Sequence, residues 1–98
     1  MAPRENPRIA LNQSAERKAL VEQRQAVVAE FGVLSPDIEH EINHIIGLAD
    51  EVRLGRKTLV PAIEKAFKIL RGTYQNETNI LEKIDDLETS INRYILEI

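Results

Sequence analysis

The chain has 98 residues, with 13 Lys and Arg against 16 Asp and Glu, for a formal net charge of −3 and a pI near 5.4. That length excludes a multi-domain enzyme. The mild acidity argues against a nucleic-acid partner, because nucleic-acid-binding domains are commonly strongly basic.

Hydrophobic residues make up 43 % and charged residues 30 %, a globular balance that excludes wholesale disorder. The only aromatic residues are Phe31, Phe67, Tyr74 and Tyr94, so any core is aliphatic and draws on 12 Ile, 10 Leu, 6 Val and 9 Ala. There is no cysteine, which removes disulfides, thiolate zinc sites and cysteine nucleophiles together and fits a reducing compartment. The longest apolar stretch, Ile45 to Ala49, falls far short of the roughly 20 residues a membrane span needs. Met1-Ala-Pro-Arg-Glu is no signal peptide. The expectation is an intracellular, cytoplasmic module with no membrane partner.

Residues 1–13 carry Pro3 and Pro7 and little periodicity, and read as a loose tail ahead of a single helical domain over 14–98. A first helix is predicted over 14–31, with Ala19, Leu20, Val27, Val28 and Phe31 inward and Gly32 as its stop. A second helix is predicted over 36–54, with Ser35 as N-cap, Pro36 at the first helical position, and Asp37 and Glu39 complementing the dipole. Its core stripe is Ile38, Ile42, Ile45, Ala49 and Val52, and Gly55 is its C′ residue.

A third helical stretch is predicted over 59–98. From Ile63 onward a seven-residue repeat places Ile63, Leu70, Glu77, Ile84, Ile91 and Ile98 at one position, and Ala66, Thr73, Ile80, Leu87 and Tyr94 at its partner. Phe67, Tyr74, Leu81 and Ile95 widen this coiled-coil-like seam, which suits a bundle of several helices. The run from Gly72 to Asn79 is made of mostly poor helix formers and is the place for a break. A continuous helix would run about 57 Å against about 29 Å for the second helix, leaving its far half without an intrachain partner. That geometry demands a dimer or a hetero-complex, whereas a break allows a self-contained four-helix bundle. Charge favours antiparallel pairing of the second and third stretches: 35–55 holds one basic residue against five acidic, and 56–72 holds five basic against one acidic.

One motif carries chemistry on its face. His40-Glu41-Ile42-Asn43-His44 is H-E-x-x-H and resembles the zinc signature of the zincin metalloproteases. The resemblance implies two imidazoles, one helical turn apart, on Zn²⁺, with Glu41 as general base toward the metal-bound water. Gly47 and Asp50 are similar to the metzincin extension with Asp for the third His, and Asn76-Glu77 resembles the downstream pair of the gluzincin branch. The rest of the chain departs from those families: residues 1–34 hold no strand signal for a substrate-binding sheet, and no Met follows the motif. On a helical wheel with Ile42 at zero, the core stripe spans roughly −20° to −80°, whereas His40 and His44 fall near 160° and −160° and Gly47 near 140°. Both imidazoles therefore read as solvated side chains on an outward face. Gly47 makes that face open to close approach by another helix.

Two shorter likenesses share the segment. Glu41-x-x-His44 resembles the i, i+3 ligand pair of di-iron carboxylate bundles, which implies further Glu ligands such as Glu22, Glu30, Glu64 or Glu77. His40-Glu41 with the apolar run behind it is similar to the phosphoacceptor box of histidine-kinase phosphotransfer helices. Arg56, Lys57, Lys65, Lys68 and Arg71 form the sole basic cluster and read as the complement of the acidic second helix.

The sequence thus predicts an all-α helical bundle of three to four helices that acts as a non-catalytic interaction or assembly subunit. The expected interface is Ile63, Leu70, Ile80, Ile84, Leu87, Ile91, Tyr94 and Ile98, offered to a second copy or a helical protein partner. No cofactor or metal is expected. The alternative is a small zinc-dependent hydrolase built on His40, Glu41 and His44.

Overall fold

A computed structural model describes residues 14–33 and 35–96. The expected tail over 1–13 and the seam residue Ile98 lie outside them. Among the described residues four α-helices follow one another: α1 (Ala15–Phe31), α2 (Asp37–Arg53), α3 (Val60–Thr73) and α4 (Thr78–Leu96), with a 3₁₀ turn, Lys57–Leu59, leading into α3.

Local chemistry sets the helix ends. Ser14 caps α1, its Oγ accepting from the Arg17 backbone N–H at 3.4 Å. At the other end Gly32 is the predicted stop, yet its backbone stays right-handed, with φ −62° and its N–H on the Val28 carbonyl. Ser35 differs from expectation. α2 begins at Asp37 with no side-chain cap, and the Ser35 hydroxyl instead meets the Tyr74 hydroxyl at the end of α3. Only the Ser35 carbonyl serves the helix start, accepting from the Ile38 N–H at 3.1 Å. The C-terminus of α2 is a Schellman motif: Gly55 N–H donates to Val52 and Arg56 N–H to Glu51, with Gly55 at φ +116°.

The third stretch breaks at 74–77. Helix α3 closes with the Tyr74 N–H on the Leu70 carbonyl, and a turn in which Glu77 N–H donates to Tyr74 leads into α4. A ring buried at Tyr74 and tied by its hydroxyl to Ser35 holds the end of α3 against the start of α2, so the chain reverses there. The continuous-helix alternative is thereby excluded. Glu77 and Thr73, the polar layer of the predicted seam, lie exposed at this reversal.

The helices pack in up-down-up-down order. Antiparallel neighbours are marked by cross-links: Arg17 and Arg24 of α1 reach Asp50 and Asn43 of α2, and Arg71 of α3 reaches Asp85 and Glu88 of α4. Helix α2 packs on the other three, and α2 and α4 run parallel across the short diagonal. The core is the predicted stripe of α2 with Ile46 added, together with Leu20, Val27 and Phe31 of α1, Ile63, Phe67 and Leu70 of α3, and Ile80, Ile84, Leu87, Ile91 and Tyr94 of α4. Each Val, Leu, Ile or Phe among them contributes about 1.5–3 kcal/mol of burial. Ala19 and Val28, predicted inward, are only half-buried.

Candidate functional site: the groove between the second and third helices

Side chains of α2 and α3, two of them core residues, line a surface groove of about 490 Å³. Its floor is apolar, formed by Ile45, Ala62, Ala66 and Leu70, and Ile69 stands at its edge with 59 % of its surface exposed. Three polar residues from α2 (His40, Glu41 and His44) and Lys65 from α3 complete the lining. A 3.6-residue period puts His40, His44 and Glu41 on one side of α2, and the antiparallel pairing of α2 with α3 brings that side over Ala62, Lys65 and Ile69.

The histidines are exposed, as the wheel predicts, but they face this groove rather than an isolated outward surface. Glu41 is half-buried, and its Oε2 is covered and has no hydrogen-bond partner. Desolvation raises the Glu41 carboxyl above its ordinary value of 4.5, the Asp37 charge one turn back adds to this, and His40 opposes it. Gly47 lies in open space, where an added Cβ would meet nothing within 4 Å, so no helix of the described chain approaches it.

The zincin pattern needs a third ligand near the histidines, and the residues present do not supply one. Asp50, in the place of the metzincin third ligand, turns inward and is held elsewhere. Its carboxylate accepts from Arg17 Nε and a terminal guanidinium nitrogen at 2.9 Å each, and from the Tyr94 hydroxyl at 2.6 Å. Glu77, of the gluzincin-like pair, is on the α3–α4 turn. Among the described residues no three or more His, Asp or Glu side chains are grouped closely enough to hold a metal ion, which bears equally on the di-iron likeness through Glu22, Glu30 and Glu64.

The basic cluster divides. Arg71 bridges to Asp85 at 2.9 Å and Glu88 at 2.7 Å, and these carboxylates raise its already high pKa further. Arg56 reaches back to Glu51 at 3.5 Å. Lys57, Lys65 and Lys68 are exposed and make no ion pair among the described residues. The predicted interface residues Ile63, Leu70, Ile80, Ile84, Leu87, Ile91 and Tyr94 all lie in the core of this one chain.

Sequence reasoning missed two features. One is the Arg17, Asp50 and Tyr94 cluster, which joins three helices and leaves no signature in local spacing. The other is the groove itself, whose signal is Ile69, an apolar residue off the heptad stripe and beside Lys68. No described helix is long and apolar enough to cross a membrane. The described residues form an all-α bundle of four helices with a mixed apolar and charged groove between two adjacent helices. Compared with protein-family models, curated proteins and solved structures, the chain matched none of them.

Proposed function

We propose that this chain is a non-catalytic interaction or assembly module that docks a protein partner on the α2/α3 face. The observation that carries the reading is the groove of about 490 Å³ with an apolar floor and a large exposed apolar side chain, Ile69, at its rim. An exposed aliphatic beside an apolar trough costs solubility and is the usual anatomy of a docking site. The stripe on α4 is occupied within the bundle, so docking through it would require the bundle to open. A protein partner fits better than nucleic acid, because the basic cluster keeps only Lys57, Lys65 and Lys68 without an ion pair among the described residues, on a chain of net charge −3.

The test is a photo-crosslinking amino acid placed at position 69, with position 18 on the exposed side of α1 as control, in cells that make the protein. A discrete protein adduct from position 69 and none from position 18 is expected. Equal labelling at both positions overturns the reading. Native mass spectrometry of the same protein decides against the alternative: one stoichiometric zinc ion, lost in His40→Ala and His44→Ala together with peptide hydrolysis, would replace the interaction module by a zinc hydrolase.

A further inference from the structure

We infer that the partner on the α2/α3 face is a second copy of this chain, in a two-fold dimer that sets the acidic edge of α2 against the basic edge of α3. The inference rests on the docking reading above and adds its occupant.

Charge selects the arrangement. On the α2 side Asp37 and Glu41 lie one turn apart, and Glu41 has a carboxylate oxygen without a donor. On the α3 side Lys65 and Lys68 are exposed beside Ile69, against one carboxylate, Glu64. None of these four groups, Asp37, Glu41, Lys65 and Lys68, has an ion pair among the described residues, although Glu41 and Lys65 line the same groove. Neither strip is tied up by an ion pair among the described residues, so both can pair across an interface.

Two copies meeting face to face must be related by an axis lying in the plane of contact. An axis across the helices lays α2 on α2 and α3 on α3, opposing like charges. An axis along the helices lays α2 of each copy antiparallel on α3 of the other, opposing unlike charges on both sides of the axis. A rotation about that axis leaves height along the bundle unchanged, and Glu41 lines the same groove as Lys65, Ala66 and Ile69. Glu41 of one copy then meets Lys65 and Lys68 of the other, and the two Ile69 side chains approach the opposite grooves.

The area is adequate for a weak dimer. Helix α2 has 17 residues, so it is about 25 Å long, and two adjacent helices are about 20 Å wide, giving about 500 Å² per copy. About 1,000 Å² in total is the lower limit of specific interfaces, which places the association in the micromolar range or weaker.

Sedimentation velocity on the full chain, from micromolar to submillimolar concentration at low and high salt, tests the inference. A monomer–dimer equilibrium weakened by salt is expected, with Ile69→Asp raising Kd by at least about tenfold. Lys65→Glu with Lys68→Glu is expected to do the same. Adding Asp37→Lys and Glu41→Lys to that pair is expected to restore the dimer, because both strips are then reversed together. Asp37, Lys65, Lys68 and Ile69 are exposed and Glu41 is half-buried, and unchanged circular dichroism will show that the variants fold. A chain that stays monomeric throughout overturns the second-copy inference, and a heterologous adduct at position 69 would then leave the docking reading standing. A dimer indifferent to Ile69→Asp and to the charge reversals also overturns it, since the contact is then on another face.

Discussion

The Tyr94 hydroxyl donates to Asp50 Oδ1 at 2.6 Å, and this bond joins the ends of two parallel helices, α2 and α4, inside the bundle. Asp50 is 9 % exposed, and its remaining acceptor capacity is met by the paired donors of Arg17 from α1. Arg53 closes the end of the cluster, donating to the Tyr94 carbonyl at 2.9 Å with its guanidinium 4.9 Å over the ring. A near-buried carboxylate is tolerable here only because every partner is in place. Burial and the bond to Asp50 together raise the Tyr94 hydroxyl well above its ordinary pKa.

Removing either side of this bond is expected to be unequal in cost. Asp50→Ala leaves the Tyr94 hydroxyl and the Arg17 charge without their acceptor and is expected to destabilise by about 3 kcal/mol. Tyr94→Phe leaves Asp50 paired with Arg17 and is expected to cost about 1 kcal/mol. Urea denaturation of both single variants and the double variant measures the coupling. Additive losses would show that the bond contributes nothing.

Ile84→Asp with Ile91→Asp is expected to unfold the chain rather than merely dissociate a complex. Both side chains are in the core of one molecule, and each buried carboxylate there costs several kcal/mol against a total stability of about 5–15 kcal/mol. Far-UV circular dichroism at 25 °C checks this, the expected result being loss of the helical signal. A folded helical double variant would place the stripe outside the core.

Glu41→Gln is expected to raise the melting temperature at pH 7 when measured on dilute, monomeric protein. The folded chain holds the Glu41 proton more tightly than the unfolded chain, chiefly through desolvation. Its contribution to stability is therefore full below pH 4.5 and is lost as pH rises through the raised folded value. Ionised Glu41 is then a net cost at neutrality, and the gain from Gln should fade toward pH 4. Equal melting temperatures at pH 7 would mean that the carboxylate is fully solvated.

The glycines of α2 and its cap are expected to respond in opposite directions to alanine. At Gly47 the added methyl meets nothing, and helix propensity alone favours Ala by about 1 kcal/mol. At Gly55 the backbone lies at φ +116°, where a Cβ is strained by about 1–2 kcal/mol. Thermal melts of the two variants should move apart, Gly47→Ala upward and Gly55→Ala downward. A fall in Gly47→Ala would reveal a neighbour close to this face.

Much of the fold was legible in the residues. The spacing of Ile38, Ile42, Ile45, Ala49 and Val52 identified the buried face of α2, because a helix has one period and these side chains have no other way to leave water. Gly55 marked the end of α2 through a backbone conformation other residues resist. The heptad pattern put Ile63, Leu70, Ile80, Ile84, Leu87, Ile91 and Tyr94 on one stripe, which is buried within this chain and not in the intermolecular seam it suggested, and it left open whether the chain reverses between α3 and α4, since both helices turn that stripe to the same core. The candidate site was less legible. The wheel put His40 and His44 on the exposed side of α2, but the groove exists only because α3 lies antiparallel beside it.

Sequence alone determined the helical class, most of the inward stripes and the end of α2 at Gly55, because these depend on neighbours within a turn or two along the chain. Tertiary structure decided the rest. Burial of Tyr74 and its tie to Ser35 bring the chain back at 74–77, and Asp50 is given to Arg17 and Tyr94 and turned from the histidines. Those outcomes depend on charges and hydroxyls brought together across 33 to 44 residues, a separation at which periodicity along one helix carries no information.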